Sequence, residues 1–225
     1  MSTMRERNLI LSYLSLRRMI GVMGISLPII LVLGGLVQEN PIVESSISAY
    51  YYTNMRDFYV GLLSGVALFL ISYKGYEKID EIVCKLSGIC IIGLLLFPTS
   101  FNGTAPMKVG ILQVNDSVSE SIHLTFGAAF FVLLAYNSIF LFTKKGPGGG
   151  IISKEKKRRN LVYRTCGCVM ILSILAIFIY KTFYAETELS KYYPVLICES
   201  VALLAFGISW LVKGDTLFRD QKSRS

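Results

Sequence analysis

Six apolar runs alternate with short polar stretches along the chain, at about 19–37, 57–73, 82–97, 122–142, 164–181 and 194–212. A helix rises about 1.5 Å per residue, so roughly 20 apolar residues cross a ~30 Å hydrocarbon layer. Five of the six runs are bounded on their C-terminal side by residues that suit helix ends. Pro41 follows the first, Lys74-Gly75 the second, Pro98 the third, Lys144-Lys145-Gly146-Pro147 the fourth and Lys213-Gly214 the sixth. Lysine complements the negative helix terminus and glycine takes the left-handed conformation that stops a helix. The pattern predicts an all-α integral membrane bundle of six transmembrane helices, with the third span short unless it begins in the preceding loop.

Ahead of the first run, Leu9, Tyr13 and Leu16 share one helical stripe within a basic amphipathic segment, residues 1–18. Two readings stay open: a helix lying on the inner leaflet, or a continuation of the first span into the cytoplasm. The run at 19–37 lacks a small-residue cleavage site after it and reads as a retained signal anchor. Residues 19–213 then form the transmembrane domain and 214–225 a cytoplasmic tail.

Charge orients the bundle. Of the 23 Lys and Arg residues, 19 fall on the side of the two termini and only Arg56, Lys108, Lys181 and Lys191 on the other. Positive charge accumulates on the cytoplasmic side, so both termini are expected there. The formal net charge of +8 is thereby a consequence of topology and argues for no nucleic-acid partner. Composition agrees, since 53% hydrophobic and 17% charged residues exclude an ordinary soluble domain. The expected location is the inner (plasma) membrane if the source is bacterial, with membrane lipids as surroundings.

Chemistry is sparse. One histidine and scattered acids offer no set of ligands at metal spacing, so no metal or cofactor is expected. Cys166 and Cys168 project to roughly opposite sides of a helix, and none of the five cysteines falls in an outer loop, which argues against a disulfide framework. The connection Gly146 to Lys157 reads as a glycine-rich hinge before a basic run. Sequon spacings occur at Asn102-Gly103-Thr104 and Asn115-Asp116-Ser117, at a frequency close to chance. Close packing is written in Gly61 with Gly65, Gly21 with Gly24, Gly127 with Ala128, and Ala202 with Ala205.

Polar groups near apolar spans carry the functional signal. Glu199 lies five residues past Pro194 inside an apolar run and needs a partner, a proton or water there. His123 opens the fourth run at comparable depth, so the two would meet if the fourth and sixth helices were neighbours. Lys181, Arg56 and Asp57 complete a ring of ionisable candidates, Asp57 also suiting a helix N-terminus. The most distinctive segment runs from Glu44 to Gly61. In it Tyr50, Tyr51 and Tyr52 place amphipathic rings at headgroup depth, and Ser46 and Ser48 can bond a ligand or the backbone.

The stretch SISAYYYTNMRD, followed by Tyr-Lys-Gly, Ile-His and Phe-Gly-Ile-Ser-Trp-Leu-Val-Lys-Gly, resembles the DUF998-like group of uncharacterised bacterial multi-pass membrane proteins, loosely similar to the Frag1/DRAM type. The likeness spans residues 44 to 214 and implies the multi-pass architecture; it brings no activity.

The expected function is a non-enzymatic membrane protein whose outward-facing vestibule binds a lipid headgroup or small polar ligand. Glu199, His123, Arg56, Asp57, Lys181, Tyr50, Tyr51, Tyr52, Ser46 and Ser48 are its candidate ligand-binding residues. The alternatives are a small proton-coupled transporter using Glu199, an outer-leaflet hydrolase or transferase, and a membrane scaffold. Transport is disfavoured by the lack of ionisable residues in the inner half of any span.

Overall fold

The computed structural model describes residues 4–75, 77–101, 108–144 and 153–216, and for 4–12 the backbone path alone. These residues are all-helical apart from one small hairpin, with 78% in helix. Six α-helices run in order: α1 (Met4–Leu36), α2 (Arg56–Ser72), α3 (Lys78–Leu96), α4 (Asp116–Tyr136), α5 (Lys154–Ile179) and α6 (Pro194–Lys213). A 3-10 turn, Ser48–Tyr52, precedes α2. The hairpin pairs β1 (Lys108–Val109) with β2 (Val114–Asn115) in antiparallel register. Gly110, at φ +69° and against the Leu96 carbonyl and Pro98, opens its turn where a side chain would be both strained and crowded.

Helix starts follow local chemistry. Glu77 and Asp80 form a reciprocal capping box at α3, Ser153 Oγ accepts the Lys156 N–H at α5, and Pro194 occupies the first turn of α6 where its missing N–H costs nothing. The basic run 154–159 is therefore the first turns of α5, whereas Gly146–Ile152 of the expected hinge and the Asn102 sequon lie outside the described residues. α1 is continuous from Met4, so the N-terminal segment and the first apolar run share one helix. α3 begins at Lys78, inside what reads as loop.

Each helix packs on its neighbours in sequence, and α1 packs on α6, closing a ring. Both chain ends of this ring share one end of the bundle, called proximal below, where Arg18 Nε donates to the Gly214 carbonyl at 2.8 Å. The opposite, distal end carries the connections α1–α2, α3–α4 and α5–α6. Four helical stretches are long and apolar enough to cross a membrane, Tyr13–Leu36, Asp116–Leu141, Lys154–Tyr184 and Pro194–Lys213, which is consistent with an integral membrane protein. α2 has 17 residues and α3 opens on Lys78, Asp80, Glu81 and Lys85, so neither matches the other four.

The closing seam is made by small residues. A Cβ at Gly21 would come within 2.8 Å of the Gly207 carbonyl, one at Gly207 within 2.6 Å of the Gly21 carbonyl, and Gly24 abuts the Phe206 ring. Backbone contact this close brings α1 and α6 together. Gly65 is filled by Met23 of α1, but Gly61 has nothing within 4 Å: the Gly61–Gly65 spacing is a half-used face, and Gly207 is the partner that spacing alone does not single out.

Candidate functional site

At the distal end the connection between α1 and α2 does not loop away from the bundle but folds in over the helix ends. Ile47, Ala49, Tyr50, Tyr51 and Met55 are all buried. A non-helical segment has backbone N–H and C=O groups that need partners when buried, and the expected functional residues supply them. Glu199 Oε2 accepts the Ile47 N–H at 2.6 Å, and one turn earlier the Leu196 N–H donates to the Ser45 carbonyl at 3.1 Å. α6 thus grips the segment twice.

His123 holds the adjacent residue. Its Nδ1 faces the carbonyls of Phe97 at 2.8 Å and Leu94 at 3.3 Å, which end α3, and its Nε2 lies 2.9 Å from Ser48 Oγ. Two carbonyls on Nδ1 require the proton there, so in the neutral ring Nε2 accepts the Ser48 hydroxyl. The buried Tyr59 phenol also bonds Ser48. Glu199 and His123 are not paired to each other; they hold successive residues, 47 and 48, of one segment. The partner that Glu199 requires is a backbone amide.

The remaining candidates are placed as follows. Ser46 Oγ caps the 3-10 turn by accepting the Ala49 N–H at 3.0 Å. Tyr50 is fully buried, its hydroxyl accepting the Glu44 N–H at 3.5 Å. Arg56 stacks over the Tyr51 ring at 4.3 Å and donates to its hydroxyl at 2.8 Å. Asp57 sits exposed in the first turn of α2. Lys181 pairs with Glu120 at 2.6 Å, linking the ends of α5 and α4. Tyr52 donates to the Thr99 carbonyl at 2.6 Å, and burial pushes its phenol up to about 12.

Tyr52 leads to the concavity this arrangement creates, a cavity of about 370 Å³. Its floor is the 3-10 turn, through Ala49, Tyr52, Thr53 and Asn54; its walls are Gln38, Asn40, Ile42 and Glu44 from the chain leaving α1, and Ser100 with Phe101 after α3. The Phe101 ring meets Tyr52 edge-on with centroids 5.1 Å apart. Glu44 is half-buried, and burial raises its carboxyl above the ordinary carboxylate range, the Ser45 amide acting in the opposite sense. Among the described residues no cation pairs with it. Of the sequence candidates, Tyr52 alone lines this space; the wall residues Gln38, Asn40 and Ser100 escape notice because no spacing marks them.

The proximal end holds buried polarity that the sequence places at helix flanks. Arg17 is 6% exposed, lies between the Tyr13 and Tyr73 rings at 5.7 and 5.6 Å, and reaches the Lys213 carbonyl at 3.5 Å. Tyr73, Phe142, Phe206 and Trp210 form an edge-to-face cluster beside it. Deeper, α4 widens into a π turn, Asn137–Leu141. That widening lets two consecutive residues face inward: Asn137 donates to Cys84 Sγ at 3.2 Å, and Ser138 meets Ser209 of α6 at 2.7 Å.

Among the described residues no three of His, Cys, Asp and Glu gather where a metal would sit. No family model, curated protein or solved structure matches the chain, so the geometry of the distal end carries the functional reading.

Proposed function

We propose that this is a six-span membrane protein with both termini in the cytoplasm, whose distal cavity faces outward and binds a lipid headgroup or small polar molecule without transforming it. Four helices suit a membrane by length and apolarity. The remaining two belong to the same closed ring, with α3 keeping its charged first turns at the cytoplasmic surface. The segregation of 19 of the 23 Lys and Arg residues to the termini and the even-numbered connections of the sequence supports the orientation.

The observation that carries the binding reading is a cavity of about 370 Å³ lined by amides, hydroxyls, one carboxylate and two aromatic rings. That volume lies at the small end of ligand sites and suits a headgroup rather than a whole lipid. In this reading Glu199 and His123 are positioning residues: they fix the floor on which Tyr52, Thr53 and Asn54 stand. Transport is the weaker alternative. Between the polar ends the buried core of the described residues is mainly apolar, filled by Leu27, Leu31, Leu70, Phe130, Leu203 and Phe206.

Native mass spectrometry of the detergent-purified protein tests this. Wild type should retain a discrete small molecule or a single lipid class, and Asn54→Trp, which fills the cavity from an exposed position, should lose it. The same heterogeneous lipid on both proteins would refute the binding reading.

A further inference from the structure

A binding cavity still has a sign. Among the groups that line this one, Glu44 alone carries a formal charge. It is half-buried, and no cation among the described residues neutralises it. Tyr52 and Phe101 line the same space, their rings meeting edge-on with centroids 5.1 Å apart. Asn54 and Gln38 bond each other at 3.3 Å, which steadies the polar rim. Arg56, the nearest formal cation along the chain, is already committed to the Tyr51 ring and hydroxyl.

We infer that the cavity recognises an organic ammonium group, with Glu44 as its counter-ion and the Tyr52 and Phe101 rings as its aromatic wall. A half-buried carboxylate without an ion-pair partner among the described residues is best matched by a cation with a modest hydration cost. An aromatic face attracts such a cation through its quadrupole, most strongly where water is excluded. A divalent metal ion is disfavoured, because Glu44 is the one carboxylate among the neutral amides and hydroxyls of the lining and would balance only half of its charge. The ammonium can come from an ethanolamine or choline headgroup of the outer leaflet or from a free amine in solution. This inference rests on the binding reading above and gives the ligand class of that same cavity.

The test uses the full chain in a sugar-based detergent, with tetramethylammonium and ethanolamine as probes in saturation-transfer NMR. In parallel, native mass spectrometry follows nanodiscs of phosphatidylcholine or phosphatidylglycerol. Wild type should bind the ammonium probes, with affinity reduced about tenfold or more in Glu44→Gln, as expected for loss of a charge-assisted contact. Phe101→Leu, at an exposed ring, provides a second variant that tests the aromatic wall without altering the charge and should also weaken them. Retention of phosphatidylcholine over phosphatidylglycerol, lost in Glu44→Gln, would support the inference with a lipid as source. Binding of the free probes with no lipid preference would support it with a soluble amine. A discrete anionic or neutral ligand held equally by wild type and Glu44→Gln would overturn the ammonium assignment while leaving the binding reading intact. Absence of any discrete ligand and of any probe binding would overturn both.

Discussion

The two ends of the bundle bury polar groups in opposite ways. At the distal end Glu199 and His123 project from helices toward a non-helical segment and satisfy the Ile47 amide and Ser48 hydroxyl. At the proximal end Arg17 and Trp210 belong to the ring itself, and their neighbours are aromatic faces and helix carbonyls. The first arrangement holds a surface segment in place without being required for the helices to pack. The second is part of the packing. Distal polarity should therefore tune one local segment, and proximal polarity the whole fold.

Truncating Trp210 to alanine is the largest perturbation this contrast predicts. The ring is 1% exposed, and removing a buried aromatic of this kind costs about 3–5 kcal/mol; detergent unfolding followed by circular dichroism should show the loss across all six helices. A loss confined to α6 would erase the distinction between the two ends.

Glu199→Ala should cost about 1–3 kcal/mol, the penalty of leaving a buried amide unsatisfied. Its effect should stay within 44–55, seen as faster proteolysis or exchange there. His123→Ala should cost about 1–2 kcal/mol by the same reasoning. Because the two side chains hold adjacent residues, the double variant should cost less than the sum of the singles, and strict additivity in a double-mutant cycle would deny that they share one segment.

Within the proximal half, Ser209→Ala removes one interhelical bond to Ser138 and should cost about 0.6 kcal/mol, the average for such bonds in membranes. The last effect shows only at alkaline pH and concerns Tyr52. Its phenol, raised by burial to about 12, contributes stability that is complete below about pH 10, the ordinary tyrosine value, and is lost as pH rises toward 12. An ultraviolet titration of wild type against Tyr52→Phe should show the missing transition above the ordinary tyrosine range; a difference centred at the ordinary value would mean that the floor of the cavity is open to solvent.

Much of the helical framework is legible in the chain because apolar runs and their stops are local signals. Pro98, Pro194 and Lys213-Gly214 mark ends that the structure keeps within a residue or two. Where the helices outrun the apolar pattern, at 154–159 of α5 and 78–81 of α3, charged residues are good helix formers once capped, and hydropathy is blind to them. Half-buried Glu199 and buried His123 are identifiable as polar groups within apolar runs, where a polar side chain needs a partner. Their partners are not, since Ile47 contributes only an amide and any residue carries one. Arg17 reads as a flank because its burial depends on Tyr73, which arrives from another connection. The Gly21–Gly207 contact likewise joins residues far apart in the chain, and no periodicity within either helix announces it.

Hydrogen exchange of the protein in nanodiscs, wild type against Glu199→Ala, tests the central claim most directly. The account predicts that 44–55 is protected in wild type, loses protection by about tenfold or more in the variant, as removal of a ~1.4 kcal/mol clamp implies, and leaves the ends of α1 and α6 around Arg17 and Lys213 unchanged. Segment 44–55 exchanging freely in wild type, or both ends losing protection together, would contradict it.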